Sequence, residues 1–367
     1  MLNLNCGFPS TEGMVNSLDN YQQQLNHRGH RGDSIHDCVL RFLCALCGLC
    51  GSIVVQLCFN FRKVFPSLLH TGCFHHMNDL PIIGFIGTGV MGRSMAGHLA
   101  TAGYTLEVHN RTKEKAQPLL DAGAHWHDSA VSVARASDVV ITMLGFPADV
   151  EATYLGEHGV IANARDGALL IDMTTSSPVL ARRIADAGAA RGLQSLDAPV
   201  SGGDIGAREA KLVIMTGGEQ SAFDRAQPIL QLLGKNIALL GPAGSGQHCK
   251  MANQLAVSIG MVAWCEALAY AKTAGLDPQA VHASISGGAA GSWALTNLAP
   301  RALADNFAPG FYVKHILKDI RIAVESAEEM KLDLPGLACA RQLYERIESM
   351  GWDESGTQVL YRLYTSS

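Results

Sequence analysis

The stretch IGFIGTGVMGRSM (Ile83–Met95) closes an apolar run with three glycines in six residues, Gly87, Gly89 and Gly92. The apolar run reads as a buried strand and the residues after Gly89 as the start of a helix. In such a connection the first glycine allows a tight turn, the second lets backbone approach a ligand, and the third lets helix pack on strand. The free N–H groups of the helix N-terminus suit a pyrophosphate. Gly87, Thr88, Gly89, Val90, Met91 and Gly92 are therefore expected to cradle a dinucleotide.

Outward from this turn, short β-rich runs alternate with Ala-rich helical stretches. The strand candidates are IIGFIG, YTLEVHN, DVVITML, GALLIDM, LQSLDAP and LVIMTGG. Helical patterns separate most of them, which predicts an α/β Rossmann-type, doubly wound parallel sheet. After about Gly241 the strand signal stops, and an all-α C-terminal domain is expected to follow. Its first element, GQHCKMANQLAVSIGMVAWCEALAYAKTAG (Gly246–Gly275), is apolar nearly all round and reads as a buried helix. Asp277 and Pro278 read as the N-cap and first-turn proline of the next helix. The expected organisation is 1–76 an appendage, 77–241 a dinucleotide-binding domain and 242–367 a helical substrate and dimerisation domain.

The end of the second strand bears on which dinucleotide. NAD enzymes place an acidic residue there, roughly twenty residues past the glycines, on the ribose 2′-hydroxyl. This chain has Asn110, Arg111 and Thr112, with Lys113 and Lys115 beyond. A guanidinium suits a 2′-phosphate, so NADP is the expected cofactor, with NAD possible.

The front of the chain is of another character. FLCALCGLCGSIVVQLCFNF (Phe42–Phe61) carries no charge and is long enough to span a bilayer. Gln56, Asn60 and its glycines weaken that reading, and basic residues on both sides give no orientation. Cys44, Cys47 and Cys50 have a ligand-like spacing without a fourth ligand, so no metal is expected. The preferred reading is an appendage over 1–76, ending before Met77.

With 28 Lys and Arg against 33 Asp and Glu, the net charge of −5 leaves no footprint for nucleic acid or an anionic membrane. Only Cys249, Cys265 and Cys339 follow Met77, which fits a reducing, cytoplasmic compartment.

The second half supplies the ionisable groups. In LDAPVSGGDIGA (Leu196–Ala207), Ser201, Gly202 and Gly203 offer a hydroxyl and open backbone N–H groups for a small carboxylate. Lys250 lies within the predicted buried helix, with Asn253 and Gln254 at i+3 and i+4 on the same face. Desolvation there lowers a lysine towards the range useful for proton transfer. A later helix carries Lys314, Lys318 and Asp319, of which Lys318 could reach cofactor or substrate. Trp293, within Gly287–Asn297, suggests a small, tight pocket.

Taken together, GFIGTGVMG, DAPVSGG, GSGQHCKMANQ and KDIRIA resemble the β-hydroxyacid dehydrogenases in order and spacing, from about Pro81 to Tyr364. The resemblance implies a Rossmann domain, a helical domain built on a long interdomain helix, and an active site between them. It implies that Lys250 is the general acid/base, that Ser201, Gly202 and Gly203 hold the substrate carboxylate, and that Lys318 lies beside the nicotinamide. Met143, Leu144 and Thr175 would line the dinucleotide. Many members carry two asparagines after the lysine; here Gln254 takes the second place.

The expected activity is that of an NADP-preferring oxidoreductase interconverting a small 3-hydroxy acid and its semialdehyde, as 3-hydroxyisobutyrate dehydrogenase does. The alternatives are a tartronate semialdehyde (2-hydroxy-3-oxopropionate) reductase and a non-catalytic dinucleotide-binding sensor. A homodimer or homotetramer is expected. A 6-phosphogluconate dehydrogenase-like enzyme of the same superfamily would need a longer helical domain.

Overall fold

A computed structural model describes residues 80–365 of the 367-residue chain. The expected appendage at 1–76 and its apolar segment 42–61 lie outside the described residues.

Among the described residues nine strands form the sheet: β1 (Ile83–Ile86), β2 (Leu106–His109), β3 (His125–Trp126), β4 (Val139–Thr142), β5 (Leu169–Asp172), β6 (Gln194–Asp197), β7 (Val200–Ser201), β8 (Leu212–Gly218) and β9 (Gly234–Leu239). They run β3-β2-β1-β4-β5-β6-β8-β7, with β9 also paired to β8. From β3 to β6 every pairing is parallel, in registers such as Ile83 opposite Leu106 and Val139.

The apolar runs are continuous because both faces of the sheet are covered. Ile83, Phe85, Val139, Ile141, Leu169 and Ile171 enter one core, while Ile86, Val140 and Leu170 enter the core on the other side. This is the expected doubly wound sheet, with one refinement. β8 runs antiparallel to β6 and to the two-residue β7, because the chain returns through the short helix Gly203–Arg208 and no full crossover helix intervenes.

Beyond β9 the described chain is helical. The long helix Ser245–Thr273 packs against the sheet through β8 and against the amphipathic helix Val313–Glu329, which is called the lysine helix below. Their shared core includes Met251, Met261, Trp264, Val313, Ile316, Leu317 and Ile320. Asp277 caps the helix Pro278–Ile285 by accepting from the N–H groups of Gln279 and Ala280.

The expectation that the long helix is buried all round is corrected. Ala252, Ala256, Ile259, Ala263, Ala267 and Tyr270 form an apolar stripe along it that stays exposed in the described chain, although Ile259 reaches towards Gly336 of the helix Pro335–Ser349. This helix is also long and apolar enough to cross a membrane, but its opposite face is core.

Candidate functional site

The glycine turn shows why its residues are glycines. Gly87 has φ +99, and a side-chain carbon there would run into the Met143 carbonyl of the neighbouring strand end. A carbon at Gly92 would strike the Gly87 carbonyl. At Gly89 it would meet no protein atom within 4 Å, so what it would obstruct is a group docking on the N-terminus of the helix Val90–Thr101.

That N-terminus has no side-chain cap and no acidic residue in its first turn, and the Thr88 hydroxyl is buried with no partner among the described residues. These features fit a dinucleotide pyrophosphate. Val90 is exposed and Met91 half-buried at the same helix start.

Asn110 proves to be a brace within this turn. Its Oδ1 accepts from the Thr88 N–H at 3.1 Å and its Nδ2 donates to the Thr112 carbonyl at 2.8 Å. Arg111, Thr112, Lys113 and Lys115 are exposed just beyond β2. Lys113 lies over the Trp126 ring, 5.3 Å from its centroid.

Met143 and Leu144 stand half-buried where β4 ends. The Leu144 N–H donates to Thr174 Oγ1 at 2.8 Å, which ties the loop after β4 to the loop after β5. That second loop, Thr174 to Ser176, is gripped from the helical side twice. Gln247 of the long helix accepts from the Ser176 N–H at 2.9 Å and donates to the Thr174 carbonyl at 2.8 Å. Lys318 of the lysine helix donates to the Thr175 carbonyl at 2.6 Å.

Asp197, at the end of β6, holds the head of the long helix. Its two oxygens accept from the N–H groups of Gly244 (2.7 Å) and Gln247 (2.8 Å). Burial nevertheless pushes its carboxyl up to about 6.

Lys250 is one turn past Gln247 and only 6% exposed. Burial pushes its ammonium down to about 8; Asp319 acts in the opposite sense and Lys318 adds to the fall. Asn253 Nδ2 donates to Gln254 Oε1 at 2.8 Å, and Gln254 Nε2 donates to Asp319 Oδ2 at 2.6 Å. The other Asp319 oxygen pairs with Lys318 Nζ at 2.8 Å. Asn253, Gln254, Asp319, Lys318 and Thr175 thus form one connected chain beside Lys250.

Ser201, Gly202 and Gly203 occupy β7 and the head of the short helix after it. That helix docks on Val90–Thr101, where His98 Nε2 meets the Ala207 carbonyl at 2.9 Å. No hydrogen bond joins this loop to the Lys250 chain among the described residues. The expectation of a tight pocket at Trp293 is corrected: the residue is 57% exposed, because only Ala294 and Leu295 of its short helix turn into the core.

Sequence reasoning missed Gln247, Asp197 and Thr174, which hold the loops around the candidate site. The available signal was polarity inside apolar runs: a buried Gln early in the long helix, and an Asp at the end of each of β5 and β6. Among the described residues no group of three His, Cys, Asp or Glu side chains is placed to hold a metal ion.

Comparison with known proteins identifies the class. The family model for the NAD-binding domain of 6-phosphogluconate dehydrogenase matches residues 82–241. The model for the NAD-binding domain of NADP-dependent 3-hydroxyisobutyrate dehydrogenase matches residues 244–364. An oxidoreductase of Bacillus subtilis (strain 168), YkwC, is 54% identical over 77% of this chain and 98% of its own.

The 2-hydroxy-3-oxopropionate reductase of Escherichia coli (strain K12) is 40% identical over 73% of this chain and 92% of its own. The structure of a Mycobacterium tuberculosis 3-hydroxyisobutyrate dehydrogenase with L-serine superposes with a TM-score of 0.71 at 29% identity, covering 78% of this chain and 99% of that one. Fold and relatives define a dehydrogenase that uses a nicotinamide dinucleotide and acts on CH–OH groups. More narrowly, the chain belongs to the β-hydroxyacid dehydrogenase family.

Proposed function

We propose that the protein is an NADP-preferring oxidoreductase that interconverts a small 3-hydroxy acid and its semialdehyde. The observation that carries this reading is Lys250, a buried amine at about 8 on a helix face shared with Asn253 and Gln254. The dinucleotide, when bound, supplies or accepts the hydride. Lys250 then gives a proton to the carbonyl oxygen in reduction, or takes the hydroxyl proton in oxidation. With its midpoint near 8, both protonation states are populated around neutral pH, as bidirectional proton transfer requires.

Ser201, Gly202 and Gly203 hold the substrate carboxylate, and Asn253 and Gln254 fix the remainder. The glycine turn with Met143, Leu144, Thr175 and Lys318 holds the dinucleotide. The exposed Arg111 at the end of β2, where no acid stands, supports the preference for a 2′-phosphate.

The likeness to a 2-hydroxy-3-oxopropionate reductase supports a second substrate of the same skeleton, with a hydroxyl where 3-hydroxyisobutyrate has its methyl. Initial rates with 3-hydroxyisobutyrate and with glycerate, each with NADP⁺ and NAD⁺, separate these readings. Turnover of neither acid by protein that still binds NADPH would leave a dinucleotide sensor. The exposed stripe of the long helix supports a homo-oligomer, which light scattering tests; a monomer at micromolar concentration overturns that part.

A further inference from the structure

We propose that Asp319 is the positioning residue of this site: its two carboxylate oxygens fix the directions of Lys318 and Gln254, and its charge acts on Lys250. The inference rests on the reading of Lys250 as the proton carrier and deepens it.

The geometry is specific. Asp319 is 2% exposed, on the face of the lysine helix that meets the long helix. A carboxylate so buried requires partners for both oxygens, and it has them: Lys318 Nζ at 2.8 Å on one, Gln254 Nε2 at 2.6 Å on the other. Each partner passes the constraint on. Lys318 also donates to the Thr175 carbonyl, so its ammonium is pinned between the helical half and the loop after β5. Gln254, with its amide nitrogen committed to Asp319, must present Oε1 to Asn253, which orients the Asn253 amide.

The longer reach of Gln254 has a physical role here, since its amide spans from Asp319 on one helix to Asn253 on its own. The titratable groups acting on Lys250 are Cys249 on the same helix and Lys318 and Asp319 on the facing one. Asp319 and Cys249 favour the protonated amine, and Lys318 opposes it.

Two variants separate the two legs. Asp319→Asn removes the charge and sets an amide nitrogen against Gln254 Nε2 or Lys318 Nζ. The Lys250 amine, followed by ¹⁵N NMR in the free protein and assigned by its loss in Lys250→Met, should then titrate about one pH unit lower. The pH–rate limb should move down with it. Gln254→Met keeps the charge, so that limb stays, while the freed Asn253 raises KM for the hydroxy acid about tenfold.

An Asp319→Asn protein with an unmoved Lys250 midpoint, or a Gln254→Met protein with unchanged KM, overturns the proposal. If Asp319→Asn does not fold, Gln254→Met decides alone. Failure of the underlying reading looks different: Lys250→Met would keep its kcat while the NMR midpoint still responds to Asp319→Asn.

Discussion

The sheet half of the molecule contributes mainly backbone turns to the candidate site, whereas the helical half contributes mainly side chains. From β1 to β6 the candidate cofactor positions lie on turns at the strand ends, set by strand register: the Gly87 turn, the loop after β4 that the Leu144 N–H ties to Thr174, and the Thr174 to Ser176 loop. In the helical half, Gln254, Lys318 and Asp319 stand on two helices and hold one another beside Lys250. The first arrangement is determined within a few residues of sequence. The second depends on partners 65 or 143 positions apart, as with Gln254 to Asp319 and Lys318 to Thr175. Binding and chemistry are therefore expected to fail separately under mutation.

The largest expected effect exploits that separation. Lys250→Met keeps most of the side-chain volume and removes the proton, so kcat should fall by roughly 10²–10⁴. NADPH affinity should stay within a few-fold, because Lys250 is not among the residues expected to hold the dinucleotide. Steady-state kinetics beside a fluorescence titration with NADPH measure both. A parallel loss of NADPH binding would break the comparison, because it would make the lysine part of the cofactor cradle.

The same contrast explains what could be read in advance. Six strands, β1, β2, β4, β5, β6 and β8, were legible because a doubly covered strand is a short apolar run bounded by turn residues, as in Val139–Thr142. β3 and β7 are two residues each and leave no period to detect. β9 opens with Gly234 and the exposed Lys235 and Asn236, which hid its apolar end. The glycine turn and Lys250 were legible as local exceptions, a glycine cluster and a charge in an apolar helix. The partners of Asp319 were not, because nothing local says which residues two helices will set face to face. The exposed stripe of the long helix was hidden for a related reason: composition reports that a face is apolar and does not report what covers it.

Asp172 tests how the sheet half holds its loops. Its Oδ1 accepts from Thr142 Oγ1 at 2.7 Å and from the Thr174 N–H at 3.1 Å. Burial pushes this carboxyl up to about 6 despite those two bonds, and the Asp197 charge adds to the rise. A carboxyl raised by folding makes the folded state bind more protons, so its contribution to stability declines as pH rises from about 4 to about 6. Asp172→Asn should flatten that decline, a relative gain of roughly 1–3 kcal/mol across the window. Urea unfolding at a series of pH values reads it, and an unchanged slope would show that the carboxyl stays ionised throughout.

Cofactor choice is the next effect in size. Arg111→Asp replaces a cation with an anion where the 2′-phosphate is expected. NADPH should weaken about ten- to a hundredfold while NADH changes little. An unchanged NADPH/NADH ratio would move the discrimination elsewhere, with Lys113 over Trp126 the next residue to change.

The smallest expected effect concerns Glu107, on β2 behind the Asn110–Arg111 turn. It accepts from His127 Nε2 at 2.6 Å and from His125 Nδ1 at 3.0 Å, and so links the edge strand β3 to the sheet by side chains. Burial alone would raise this carboxyl, but the two histidine contacts outweigh it and hold it below its ordinary value. A depressed carboxyl contributes stability that is present above the unfolded value, near 4.5, and is lost as pH falls through the folded value. His125 is largely exposed and its contact is screened, so Glu107→Gln should cost only about 1 kcal/mol at neutral pH. That cost should shrink towards zero as pH falls below 4. NADPH affinity should drop slightly in parallel, because β3 backs the strand end that carries Arg111. A mutant with the same acid limb as the parent would show that this edge is held by strand pairing alone, which would extend the backbone-built character of the sheet half to its outermost strand.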